Sequence, residues 1–203
     1  MGANINNMNL QILDCTLRDG GYYNNWDFNE SIVKKYLSAM STAKVDIVEI
    51  GFRFPPQKKI LGKFAYSEDD FLNSLSLPSK ISYAVMINAS DLINYEDGLH
   101  NAINNLFSIK KDSPVDIIRI ATHSSDIKEC RTIAIALKNL GYRVFLNLMQ
   151  ISTLDLKSIT NIAKDIESWD CIDAFYFADS FGNMDPDLVS SIISTISSHW
   201  SGE

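Results

Sequence analysis

The chain has little that would bring in redox, zinc or nucleotide chemistry. Its three cysteines, Cys15, Cys130 and Cys171, stand far apart with no CxxC pair among 203 residues. An odd, scattered set excludes a disulfide framework and zinc-ribbon spacing, and unpaired thiols fit a reducing, cytoplasmic setting. The nine glycines form no GxGxxG or Walker-type phosphate loop. No segment offers the ~20 consecutive apolar residues of a membrane helix. Basic residues are in the minority, 18 Lys and Arg against 25 Asp and Glu, for a net charge of −7. That balance disfavours nonspecific nucleic-acid binding while leaving room for a local basic site facing an anionic small molecule. Residues 1–9 lack a basic stretch followed by an apolar one, so no targeting segment is expected.

What is present is an ordinary globular mixture, 46% hydrophobic and 21% charged, enough for one domain spanning residues 1–203. Short β-branched runs alternate with amphipathic stretches. Strands are predicted over residues 10–14, 46–50, 81–87, 115–121, 143–149 and 173–178. The second is expected to end at Gly51. A helix over 29–44 would place Ile32, Val33, Tyr36, Leu37 and Met40 on one face. Ser67-Glu68-Asp69-Asp70 reads as a capping box opening a short helix through Leu75. Residues 91–107 read as largely helical, as do 126–139, where Gly141 supplies a stop, and 154–168. Asp185-Pro186 combines a cap with a proline suited to the first helical position of a last helix ending near Trp200. Six β-α units in strict alternation define an α/β fold with a parallel sheet and right-handed crossovers. A closed barrel and an open doubly wound sheet both satisfy that pattern.

Polar residues cluster where strands end, which in parallel α/β folds is the active-site face. Arg18 and Asp19 follow the first strand: Asp is a hard oxygen ligand for Mg²⁺ or Mn²⁺, and Arg can hold a carboxylate or a developing enolate oxygen. A salt-bridged turn accounts for the pair equally well. Glu49 interrupts an apolar strand and, if buried, needs a partner, for which Arg18, Arg119 or a metal-bound water would serve. A structural ion pair inside the sheet is the alternative for both Glu49 and Arg119. Asp179 leaves the sixth strand before a glycine turn, as an acid/base group or a turn-forming residue. Thr122, His123 and Asn147, on or just after the fourth and fifth strands, are candidates for lining a substrate. Cys15 and Cys171 are expected to be buried spectators. The loop over 51–66, with Arg53, Lys58, Lys59 and Lys63, could close over an anion or be a solvated surface loop.

The run Leu13-Asp14-Cys15-Thr16-Leu17-Arg18-Asp19-Gly20-Gly21 resembles the signature of the metal-dependent (β/α)₈-barrel family that contains hydroxymethylglutaryl-CoA lyase, isopropylmalate synthase and 4-hydroxy-2-oxovalerate aldolase. Val48-Glu49-Ile50-Gly51 and Ala178-Asp179-Ser180-Phe181-Gly182-Asn183-Met184-Asp185-Pro186 resemble the family's second- and sixth-strand motifs. The resemblance implies a TIM barrel, of which about six β-α units are present. It also implies a Mn²⁺ or Mg²⁺ ion bound by Asp19, and catalysis through Arg18, Glu49 and Asp179. The activity implied is cleavage or formation of a C–C bond beside a 2-oxo acid or hydroxy-acyl group through a metal-stabilised enolate. Gly21-Tyr22 stands where the synthases have Glu-Gln, which is closer to the aldolase branch, and Tyr22 stands where that branch has its general-base His. No His-x-His occurs to complete a metal site, and eight units need about 250 residues, so the last two strands are expected to lie outside this chain. An acyl-CoA-condensing synthase and a catalytically inactive binding module are the alternatives. Open sheet edges would favour a homo-oligomer.

Overall fold

The computed structural model describes residues 10–202, so the reading of residues 1–9 as free of a targeting segment lies outside the described residues. Six strands form: β1 (Leu13–Asp14), β2 (Ile47–Phe52), β3 (Ser82–Asn88), β4 (Ile117–Thr122), β5 (Arg143–Leu148) and β6 (Ala174–Phe177). Every strand pairs in parallel with its sequence neighbour, giving the order β1-β2-β3-β4-β5-β6. This order separates the two topologies that alternation left open: a doubly wound sheet reverses its strand order, whereas a barrel wall does not. The result is a curled half-barrel of TIM type.

The helices are α1 (Thr16–Asn24), α2 (Glu30–Ala43), α3 (Asp69–Ser74), α4 (Ala89–Ile93), α5 (Leu99–Leu106), α6 (Ile127–Asn139), α7 (Leu156–Trp169) and α8 (Pro186–Ser197). Three start on side-chain caps. Asn29 accepts from Ser31 N, Asp155 from Ser158 N and Asp185 from Leu188 N, each satisfying an N–H that the helix itself leaves unpaired. Parallel strands carry apolar residues on both faces, and two cores follow. Outward residues such as Val48, Val85, Ile118, Val144 and Leu146 pack beneath the helices in the larger one. Ile47, Ala84, Ile117 and Phe145 form a second cluster with Leu13, Ala174 and Tyr176, filling the base of the concave side.

Register at that base is set by a recurring device. Asp46, Asp116 and Asp173 each stand one residue before a strand. Their carboxylates accept the backbone N–H of Ile12 (2.7 Å), just ahead of β1, and of Tyr83 (3.0 Å) and Val144 (2.6 Å) on β3 and β5. The local sequences, Val45-Asp46-Ile47, Val115-Asp116-Ile117 and Ile172-Asp173-Ala174, repeat one pattern. A one-residue slip would exchange the concave and convex faces, so these staples protect the sidedness of the wall.

Several expectations are corrected. Gly51 does not end β2. It lies in a register shift between Glu49 and Gly51, where a Cβ would meet the Phe64 carbonyl at 2.0 Å. The bulge turns Phe52 to the face on which Met86 lies. The Ser67 capping box does not form: Ser67 is buried with φ 41°, its hydroxyl bonds to Phe64 O, and Glu68 precedes α3 without a side-chain cap. The predicted helix over 91–107 is two helices, broken where Gly98 takes φ 84°. The first strand is only two residues long, and the segment after it, for which the sequence pattern predicts no helix, forms α1.

Candidate functional site

The Arg18-Asp19 segment belongs to a helix. Asp14, at the end of β1, accepts the Thr16 N–H and the Tyr36 hydroxyl, and α1 opens there. Gly20 and Gly21 would normally disfavour a helix by roughly 0.5–1 kcal/mol each relative to Ala. Gly21 is needed nonetheless: a Cβ there would fall 1.9 Å from the Trp26 ring. Trp26, itself held at φ 58°, donates its indole N–H to Arg18 O at 2.9 Å and packs edge-on against Phe52 and Phe54. The aromatic cluster thereby fixes the turn of helix that carries Arg18 and Asp19.

Glu49 is completely buried on the concave face. One oxygen accepts from Arg18 Nε and the other from Arg119 Nη1. Each guanidinium also lies over a ring, Arg18 5.7 Å from the Phe52 centroid and Arg119 4.7 Å from that of Tyr176. Burial alone would weaken the hold of Arg18 on its proton. Glu49 and Asp19 outweigh it and push the pKa above the ordinary arginine value, so the group stays charged. Arg18 also pairs with Asp19 at 2.5 Å, where the layer opens to solvent: the two side chains are 15% and 55% exposed. Around this set, Arg119 Nε, Asn147 Oδ1 and the Tyr176 hydroxyl are buried without hydrogen-bond partners.

The other candidates divide. Asn147 lies on the concave face, in register with Tyr176. Tyr22 sits beside Trp26 (4.9 Å between ring centroids) and Phe52 (6.1 Å). Tyr22 is 62% exposed overall, yet partial desolvation beside these rings raises its pKa above the ordinary value, the opposite of what a general base requires. Thr122 is buried on the outer face, accepting from the Cys130 thiol and donating to His123 O, so it points away from the concave side. His123 is half-buried at the start of the turn that follows β4. Asp179 is exposed and accepts the N–H groups of Met184 (3.0 Å) and Asn183 (3.2 Å), bonds that lower its pKa and make it an organiser of the loop before α8. Arg53 belongs to no closing loop: it is buried and bonded to Asp69, Ser67 O and Leu106 O. Cys15 is half-buried rather than a core spectator, and its thiol donates to Asp19 at 3.2 Å. Arg119, a candidate partner for Glu49 from the sequence, takes that place in the fold, whereas Tyr176 is reached only through the fold. For Tyr176 the available signal was a hydroxyl on the inward-facing alternate position of Ala174-Phe175-Tyr176-Phe177.

Among the described residues no three His, Cys, Asp or Glu side chains gather to hold a metal ion. Glu49 spends both oxygens on arginines, and Asp19 is itself paired with Arg18. These residues do not by themselves hold a divalent ion.

A curved parallel wall with a buried Arg-Glu-Arg set at its open end defines part of a TIM-like barrel with a polar concave site. No protein-family model matches the chain. Solved structures do. The chain is 33% identical to the N-terminal domain of a "putative aldolase" from Bacteroides vulgatus, with a TM-score of 0.79. The match covers 95% of this chain and 62% of that one, so the chain spans less than two thirds of that relative. The carboxyl transferase domain of Rhizobium etli pyruvate carboxylase matches at 12% identity and a TM-score of 0.66, covering 96% of this chain and 34% of that one. A variant of the same domain, with pyruvate, matches at 13% and 0.63, covering 96% and 35%. At those identities the carboxyl transferase likeness concerns the fold alone. Among the described residues no helix is long and apolar enough to cross a membrane.

Proposed function

We propose that the chain forms the enolate-handling part of an aldolase or lyase that breaks or makes a C–C bond beside a 2-oxo acid, of the 4-hydroxy-2-oxovalerate aldolase type. The observation that carries this reading is the Arg18-Glu49-Arg119 set. Two guanidiniums and one carboxylate leave an excess positive charge in a buried layer, offset only at the rim by Asp19. Such a place favours an anion and, above all, an oxygen on which negative charge grows. In a retro-aldol cleavage the substrate hydroxyl loses its proton, the adjacent C–C bond breaks, and its electrons move into the 2-oxo group to give an enolate. Arg18 would stabilise that oxygen, and Glu49 would hold the guanidinium in place without touching substrate. In the same reading Asp19 would contribute one ligand to a Mn²⁺ or Mg²⁺ ion, which would supply Lewis acidity, although Asp19 alone does not hold such an ion. The aldolase description of the Bacteroides vulgatus relative supports it.

The test is pyruvate release from a 4-hydroxy-2-oxo acid, with Mn²⁺ supplied, by the chain joined to the remaining strands of the barrel, alongside calorimetric titration of the 203-residue chain with pyruvate and with oxalate, a planar enolate mimic. Cleavage that falls on the order of 10²–10³-fold in Arg18→Met, with the fold retained, supports the proposal. Acetyl-CoA-dependent consumption of a 2-oxo acid without pyruvate release would replace it with a condensing synthase. Absence of both activities together with no binding of oxalate or pyruvate would overturn it in favour of a binding module, the reading that the lack of a metal-ligand cluster among the described residues favours.

A further inference from the structure

Three buried polar atoms on the concave face lack well-formed hydrogen bonds, and two of them, Asn147 Oδ1 and the Tyr176 hydroxyl, belong to side chains on paired positions of neighbouring strands. Asn147 and Tyr176 are in register on β5 and β6. Their side chains therefore leave the same face from backbones about 4.8 Å apart. Asn147 is 8% exposed and its Oδ1 accepts nothing, while the buried Tyr176 hydroxyl has the Arg119 guanidinium beside it but makes no well-formed hydrogen bond and donates to nothing. A tyrosine hydroxyl stands much further from its backbone than an asparagine amide oxygen does. The two are thus offset in height, which explains why they do not bond to each other. Burial raises the Tyr176 pKa, so the hydroxyl remains a neutral donor. A donor and an acceptor left unsatisfied side by side are rare, because each forfeits a bond that water would have given it.

We infer that Asn147 and Tyr176 form a subsite for a single ligand hydroxyl, which accepts from Tyr176 and donates to Asn147 Oδ1. Only a group that both donates and accepts satisfies the pair, so a hydroxyl fits where a carboxylate or an ammonium does not. The subsite adjoins the enolate-handling set, since the Arg119 guanidinium that bonds Glu49 lies over the Tyr176 ring. The inference rests on the proposed reading of that set, and it assigns the hydroxyl of a hydroxy-2-oxo acid to a place in this chain. Asn147 and Tyr176 then set specificity for hydroxylated over plain 2-oxo acids.

The experiment compares two acids that differ by one hydroxyl, 2-oxobutanoate and 4-hydroxy-2-oxobutanoate, by titration into the full chain. The wild-type chain is expected to bind the hydroxylated acid at least about tenfold more tightly, since a site built to bond a hydroxyl rejects the analogue lacking it. Tyr176→Phe and Asn147→Leu should each erase that preference and leave 2-oxobutanoate binding unchanged. Tyr176→Phe should also keep or raise Tm, because it deletes a hydroxyl that has no internal partner. A preference that survives Tyr176→Phe overturns the subsite while leaving the proposed function standing, as does 2-oxobutanoate binding with no preference in the wild type. A Tm loss in Tyr176→Phe without change in preference overturns it too, by showing that the hydroxyl serves the fold. If neither acid binds any variant, the reading of the Arg18 site fails and the subsite fails with it.

Discussion

Glu49 offers the sharpest energetic test of the site. Its side chain has no solvent exposure and its two oxygens are divided between Arg18 and Arg119. Arg119→Met removes one guanidinium and replaces it with a flexible apolar chain that can still lie on the Tyr176 ring. Breaking a buried pair by deleting one partner costs about 3–5 kcal/mol, because the remaining charge stays in a poor solvent. Arg18 persists as a second partner, so the lower end, about 3 kcal/mol, is expected. At an m-value of about 2–3 kcal/mol/M this moves the urea midpoint down by roughly 1–1.5 M. For a chain of this size it lowers Tm by about 6–12 °C. The companion variant Glu49→Leu/Arg119→Met withdraws both charges. It should be less destabilised than Arg119→Met alone, since Arg18 keeps Asp19 and some solvent. Urea unfolding followed by tryptophan fluorescence reads both, with the double-mutant cycle giving the coupling. A single-mutant cost below about 1 kcal/mol, the range of exposed ion pairs, would refute the claim that Glu49 is held by two buried charges. Additive costs in the double variant would refute it as well.

Three further outcomes are expected. Gly21→Ala should destabilise by more than about 2 kcal/mol, because its Cβ would occupy the place of the Trp26 ring. Gly20→Ala, whose Cβ would meet Phe28 at 3.5 Å, should instead stabilise α1 by about 0.5–1 kcal/mol; thermal melts compare the two, and equal effects would discard the Trp26 argument. Asp173→Ala removes the bond to the Val144 N–H and the Lys138 ion pair, so the Val144 amide should exchange faster by NMR while amides of β2 and β3 keep their protection. Burial alone would raise the Asp14 pKa, but the Tyr36 hydroxyl and the Thr16 N–H outweigh it and hold it below 3.8. The stability from Asp14 is therefore present above that ordinary value and lost as pH falls through the depressed one, so Asp14→Asn should flatten the acid side of a stability–pH curve. An unchanged acid limb would contradict that assignment.

The six strands were legible because parallel strands between helices leave continuous apolar runs that few other structures produce. Strand order was not, since alternation alone is silent on whether the wall reverses. The partners of Glu49 could be named from the sequence, as a carboxylate inside Ile47-Val48-Glu49-Ile50 must find a cation, and Arg18 and Arg119 were the nearby choices. That both bind it at once is a fact of curvature, which brings β1, β2 and β4 round a shared interior. Helix α1 escaped because its glycines answer to Trp26, a contact several residues ahead rather than a local preference. Thr122 misled because it stands at the strand's C-terminal end as a substrate residue would, yet the alternation of Ile117 to Thr122 turns it outward to Cys130. Asp179 takes up the turn-forming role that its position before a glycine turn allows: its loop curls back and supplies the amide donors it accepts.

The aspartate staples lie at the opposite end of the wall from Arg18, Glu49 and Asn147. They tie β1 to β2, β3 to β4 and β5 to β6 at the edge where each strand begins. Alignment and chemistry are thus delegated to separate rims of one surface. The rim that carries the chemistry is free to exchange loops or side chains without disturbing how the strands line up. The stapled rim is continuous, because the backbone oxygens of Asp46 and Asp116 accept from Ser82 and Arg143 on the following strands, so a lost carboxylate would loosen one seam while its neighbours hold.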